Sequence, residues 1–271
     1  MSEEFVKFKE SIVDKSQSTQ RNYLTRYTKL RDLLGKDIHQ TSQEKILEKL
    51  AEFENPNSLA AFLNIAILVR KQHKYSITEL EKYRAKNKET IQKTTQMNNR
   101  LTVLPNLQEL DSYIESLYTN GDYFKYIINY LLRNCYTRNE DLLFTFVDSK
   151  QDVNDTDNFI WMTKNEPRVV YYRNRYKTAK TYGKKENEIK DPKFYHAVRE
   201  YRAVAESDDF LYEYDSPASV IQRSTINKIG EGAMLKIIIR DFKDDIHKLT
   251  EISKSRGTSV YTLLNAYNLD F

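Results

Sequence analysis

Apolar residues recur along the first third of the chain with the three- and four-residue spacing of helices. "SQSTQRNYLTRYTKLRDLLG", residues 16–35, puts Tyr23, Tyr27, Leu30 and Leu34 on one face behind a Ser/Thr-rich start, and Gly35 ends it. "TSQEKILEKLAEF" and "SITELEKYRAKNKETI" each open on a capping box, Thr41 to Glu44 and Ser76 to Glu79. Between them "NSLAAFLNIAILVRK" is apolar nearly all round, which predicts the buried helix of a bundle. From Lys93 to Asn106 the period is lost, and a Pro-Asn pair marks a new helix start. The pattern therefore predicts a helical domain over 1–95, a linker over 96–106 and a second domain over 107–271.

The second domain opens with two more helical patterns, "LQELDSYIESLY" and "YFKYIINYLLRNCY", and then changes period. "FIWMT", "RVVYYRNRYK" and "TYGKKENEI" are rich in aromatic and branched residues, with "KNEP" and Gly183 as turns between them. Helices resume at Asp191, and Pro217 after Ser216 reads as a further helix start. The expected fold class is mainly α with a small antiparallel β-sheet, in two domains.

Composition narrows the chemistry. Among 271 residues the single cysteine, Cys135, excludes a disulfide within the chain and a cysteine zinc cluster, and four scattered histidines predict no metal site. No nucleotide-cradling glycine loop occurs, and six glycines make one improbable, so no cofactor is expected. "MSEEFVKFKESIVDK" lacks a signal-like apolar region, and no apolar run approaches the ~20 residues of a membrane span. The expectation is a soluble intracellular protein, in the cytoplasm or nucleus of a host or in a virion.

Net charge is only +4, but positive charge gathers in two blocks. Residues 70–100 include Arg70, Lys71, Lys74, Lys82, Arg84, Lys86, Lys88, Lys93 and Arg100. Residues 164–190 include Lys164, Arg168, Arg173, Arg175, Lys177, Lys180, Lys184, Lys185 and Lys190. The second block alternates with tyrosines in a strand-like pattern, which favours a DNA backbone as partner, with Arg70, Lys71, Lys74, Arg173, Arg175, Lys184 and Lys185 as candidate contacts. Acidic excess sits elsewhere, in "ESDDFLYEYD".

Four features follow one another in the second domain: "CYTRNEDLL", a basic β-hairpin, "GAMLKIIIRDF" and "SRGTSVYTLLNAY". This order resembles the tyrosine recombinase (phage integrase-like) family, whose catalytic domain is shared in outline with type IB topoisomerases. "TRNEDLL" is similar to the family's first arginine box, with Arg138 followed by Asp141 and the pair Leu142 and Leu143. "RYKTAKTYGKKENEI" is similar to the hairpin carrying the catalytic lysine, matched by Lys177 with Lys180 as a rival. The closing stretch places Tyr267 at the nucleophile, and the N-terminal bundle resembles the family's core-binding domain. The second box departs from its His-x-x-Arg pattern: Ala233 and Lys236 stand at those positions, with Arg240 one turn later. The third position, about nine residues before the nucleophile, falls at Thr258, with Arg256 close upstream.

The resemblance implies cleavage and rejoining of double-stranded DNA through a 3′-phosphotyrosyl link at Tyr267, without metal or ATP, by a clamp of two domains that assembles as a tetramer on paired sites. Chemically, a tyrosine attacking a phosphodiester needs fixed cations on the non-bridging oxygens and a proton donor for the leaving 5′-oxygen. Arg138, at a helix start, and Arg256, with Lys236 or Arg240, would supply the first; Lys177 or Lys180 would supply the second. Only "NLDF" follows Tyr267, so the family's exchanged tail would be missing or replaced. Three other classes stay open: a DNA-binding relative that does not cleave, a topoisomerase-like monomer, and a helical interaction scaffold.

Overall fold

The computed structural model describes residues 2–15, 17–101, 103–163, 167–212, 214 and 216–267, and it divides into two compact units, Met1–Met97 and Asn98–Phe271. The turn expected at "KNEP", Lys164 of the second basic block, and the "NLDF" tail fall on positions 164–166 and 268–271, outside the described residues. So do Ser16, at the expected start of the first helix, and the side chain of Arg100. No helix among the described residues is long and apolar enough to cross a membrane.

The first unit contains α1 (Glu3–Glu10), α2 (Gln17–Leu34), α3 (Gln43–Leu50), α4 (Pro56–Gln72) and most of α5 (Thr78–Leu101). As its pattern predicts, α4 is central: it buries Leu59, Phe62, Leu63, Ile65, Ala66, Ile67 and Val69, and α1, α2 and α3 pack against it. Asn55 starts it by accepting from the backbone N–H of Asn57 and Ser58. Tyr27, Leu30 and Leu34 of α2 are buried, and Gly35 ends that helix at φ +68, where a Cβ would be strained.

Both expected capping boxes shift. Ser42, not Thr41, caps α3 by accepting from Lys45 N, and the Thr41 hydroxyl donates to Asp37 O. The start of α5 is capped from outside: Gln43 Oε1 accepts from Glu79 N and Leu80 N, while Ser76 is engaged by Gln43 Nε2. The stretch from Lys93, expected to be irregular, continues α5 to Leu101; no proline or glycine intervenes before Pro105, so loss of amphipathic period alone does not end a helix. Two of the four histidines, expected to lie apart, stack: the His39 and His73 rings are 4.0 Å apart at 10°.

The second unit begins with α6 (Leu107–Thr119) and α7 (Tyr123–Asn134). Asn106 and Glu109 form a full capping box at the start of α6. The sheet follows, in the order β1 (Phe144–Val147), β2 (Asn158–Met162), β3 (Val169–Arg173) and β4 (Lys185–Ile189). Strands β2 to β4 pair antiparallel as expected, and β1, which the pattern does not single out, joins β2 in parallel, so the sheet is mixed. The acidic stretch covers the outer edge of β1: Phe146 N donates to Asp208 O, and Phe210 N to Phe144 O. All five residues of β3 are buried.

Between β3 and β4 the chain leaves strand geometry for an open connection that includes α8 (Ala179–Tyr182), so Lys177 and Lys180 lie on the connection and not on strands. The remaining helices are α9 (Pro192–Val204), α10 (Pro217–Ser224), α11 (Glu231–Phe242), α12 (Ile246–Arg256) and α13 (Val260–Tyr267). Helix α11 supplies Met234, Leu235, Ile237, Ile238 and Ile239 to the core and packs against α7, α12 and α13. Short α13 is anchored through Leu263, which is fully buried; an aliphatic side chain in that position contributes about 1.5–3 kcal/mol.

Candidate active site

The turn after α7 builds one wall of the site. Tyr136 adopts φ +53, rare for a residue with a side chain, and its ring is buried. That turn aims the carbonyls of Tyr136 and Thr137 at Arg256, whose Nη1 donates to them at 3.2 and 3.3 Å. Arg138 follows, half-buried, at the head of a four-residue 3-10 turn, Asn139–Leu142. The expected α-helix is absent there, and with it the helix-terminus contribution to anion binding. Asp141 instead fixes the turn, accepting from Arg138 N at 3.1 Å.

Arg256 is the last residue of α12, and Gly257, left-handed at φ +63, reverses the chain after it. Only 3% of the Arg256 side chain is exposed. Its outer nitrogen, Nη2, bonds the Glu231 carboxylate and lies 3.5 Å from Tyr267 Oη, and its guanidinium sits 5.5 Å from the Tyr267 ring centroid. Tyr267, the last described residue of α13, is half-buried: the ring packs with the core cluster and over Gly232 of α11, where a Cβ would stand 4.0 Å from Tyr267 Cε1. That partial exposure is what a nucleophile on an amphipathic stripe requires.

The connection between β3 and β4 locks onto the same place. Thr178 Oγ1 donates to Gly257 O at 2.7 Å and lies 3.5 Å from Arg138 Nη1. A Cβ on Gly257 would come within 2.7 Å of Thr178 Oγ1 and 2.8 Å of the Tyr176 ring. Lys177 lies between these two anchors with its side chain exposed, while Lys180 is exposed on α8.

Electrostatics follow from this crowding. Burial, then the neighbouring Arg256 charge, lowers the Arg138 guanidinium from its usual range. Burial would do the same to Arg256, but the Glu231 carboxylate and Tyr267 outweigh it and the group is raised. The site thus holds two guanidiniums, one carboxylate and one phenol, from segments at 138, 231, 256 and 267.

Of the other expected members, Lys236 is half-buried on α11, one turn beyond Gly232, over which the Tyr267 ring packs. Burial lowers its ammonium. Arg240 donates to Pro105 O at 2.5 Å and holds the start of the unit. To Arg256 α11 brings Glu231, which reads in the sequence as an ordinary first-turn acid.

Two candidate DNA contacts are corrected by burial. Arg173 is fully buried, paired with Asp141 at 3.4 Å and donating to Asn187 Oδ1, Ser255 O and Ser255 Oγ. Arg70 is 5% exposed and donates to the carbonyls of Ser76, His39 and Thr41. Both guanidiniums serve as internal clamps. Lys71 and Lys184 are exposed and paired, with Glu81 at 3.1 Å and Asp155 at 2.5 Å. Lys185 is half-buried, its ammonium lowered by burial and by Arg173. Lys74 and Arg175 are exposed.

No protein-family model matches the chain, and no curated protein matches it. Among solved structures, the crystal structure of XerA recombinase is similar over 99% of this chain and 94% of its own, at 14% identity and a TM-score of 0.39. A similarity this low leaves function to be argued from the site.

Proposed function

We propose that the protein cleaves and rejoins DNA through Tyr267, as a tyrosine recombinase does. The observation that carries the reading is the meeting of Arg138, Arg256 and a half-buried Tyr267 from distant segments, with the Lys177 connection anchored on Gly257 beside them. Two guanidiniums around one phenol have no structural use that requires the phenol to be open to solvent; a phosphate gives them one. In the reaction, Tyr267 Oη attacks phosphorus and its proton leaves to water on the open side of the ring. The Oη–P bond forms as the bond to O5′ breaks, and Lys177 gives O5′ its proton. Arg138 and Arg256 hold the non-bridging oxygens through the transition state. Rejoining is the same path reversed.

Glu231 supports a second reading, a DNA-binding relative that does not cleave, because its carboxylate occupies the nitrogen of Arg256 that a phosphate would use. One experiment separates the two. Duplex half-sites nicked beside the scissile position, drawn from a randomised pool, should trap a covalent protein–DNA adduct with the native chain and none with Tyr267→Phe. A gel shift of the same pool without any adduct supports the second reading. Exposed cations on both units, among them Lys74, Lys86, Lys88, Arg175 and Lys177, would contact the backbone and make binding strongly salt-dependent.

A further inference from the structure

In the first unit a buried carboxylate and two imidazoles meet. Glu4 of α1 is 1% exposed. Its Oε1 accepts from Tyr27 Oη at 2.7 Å and from Ile38 N at 3.1 Å. Its Oε2 accepts from His39 N at 2.8 Å and lies 2.5 Å from His39 Nδ1. His73, at the end of α4, stacks on His39, and its Nε2 is buried with no hydrogen-bond partner. One donor atom from each of the three residues lies within 4.8 Å of the others. A buried imidazole nitrogen without a partner is unfavourable, and a ligand that accepts its lone pair would relieve it.

We propose that Glu4, His39 and His73 form a site for a divalent transition metal of the zinc class. Imidazole and carboxylate donors suit such ions, and three protein ligands leave a fourth position for water. The ion takes the place of the direct contact between Glu4 Oε2 and His39 Nδ1. Ligand bonds of about 2.0–2.2 Å in tetrahedral geometry separate neighbouring donors by about 3.3 Å, so the 2.5 Å contact widens slightly. His73 must turn about its Cβ–Cγ bond, because stacked rings cannot both direct in-plane lone pairs at one ion. The outer partners are already present: Tyr27 and Ile38 hold the other carboxylate oxygen, and Arg70 donates to His39 O at 3.3 Å. The bound ion would tie α1 to the α2–α3 turn and to the end of α4.

The test uses the untagged full chain, stripped with chelator and titrated with Co²⁺, whose visible absorption reports direct nitrogen and oxygen ligation. A band saturating at one equivalent is expected, displaced by Zn²⁺. It should be lost in His73→Gln, which leaves the circular dichroism of the apoprotein unchanged, and kept in His247→Ala, an exposed histidine of the second unit. Tyr27→Phe, which removes an outer partner, should weaken binding by about 10–100-fold. No saturable band, or a band that survives His73→Gln, overturns the proposal and leaves Glu4 and His39 an internal hydrogen-bonded pair. None of these outcomes depends on whether Tyr267 cleaves DNA.

Discussion

Replacing Glu231 by glutamine should loosen the second unit and tighten its grip on DNA. The carboxylate neutralises Arg256, whose side chain is 3% exposed, and removing one partner of a fully buried pair costs about 3–5 kcal/mol. The cost here should be about 1–3 kcal/mol, because Glu231 is 15% exposed, the glutamine oxygen still accepts from Nη2, and the Tyr136 and Thr137 carbonyls still hold Nη1. A phosphate on the outer edge of Arg256 would stand about 5 Å from the native carboxylate. At an effective dielectric constant of about 20, that repulsion is about 3 kcal/mol, reduced to about 1–2 kcal/mol by solvent on the open side. Binding of duplex DNA should therefore tighten roughly tenfold at fixed salt, by fluorescence anisotropy. Thermal melting of Glu231→Gln should fall without DNA and recover with it by more than the native protein gains. Equal or weaker binding, with no extra recovery, would show that the phosphate does not use Arg256.

Four further substitutions separate structure from chemistry. Arg173→Ala should lower the stability of the second unit by about 3–5 kcal/mol in denaturant melts, since it strands buried Asp141, whereas Lys177→Ala should change stability by less than about 0.5 kcal/mol and abolish adduct formation. Gly257→Ala combines a left-handed backbone with contacts under 3 Å to Thr178 and Tyr176; a loss of at least about 1–2 kcal/mol is expected, with adduct formation lost as the Lys177 connection is displaced, and normal activity would contradict that anchoring. Burial pushes the Cys135 thiol from its ordinary value of about 9 up to about 11. The raised thiol favours folding below its unfolded value, and that contribution is lost as pH rises toward 11. Cys135→Ala should therefore lose about 2 kcal/mol less stability than the native chain between pH 9 and 11.

Where apolar period and local cap chemistry agree, the chain is legible. The buried helix α4, the end of α2 at Gly35 and the helix start at Asn106 all follow from neighbours within four residues. The cap of α5 by Gln43 does not, because donor and acceptor are 36 residues apart. In the site, Arg138, Arg256 and Tyr267 are found from the order of features, while Glu231 hides among first-turn acids that helices carry for their own dipole. Linear charge also misleads: Arg70 and Arg173 sit in basic blocks but turn inward, since only tertiary packing supplies the carbonyls and the Asp141 carboxylate that hold them. For Arg173 a signal was available. It closes "VVYYR", a run too apolar for an edge strand, where an arginine must find a buried partner.

The central claim rests on one hydroxyl among 20 tyrosines. Nuclease and protease digestion of the trapped adduct, followed by mass spectrometry, locates the phosphonucleotide directly. The account predicts a single modified peptide, carrying the nucleotide through its 3′-phosphate on Tyr267. An adduct on any other residue, or a randomised DNA pool that binds the protein and yields no adduct, would contradict it.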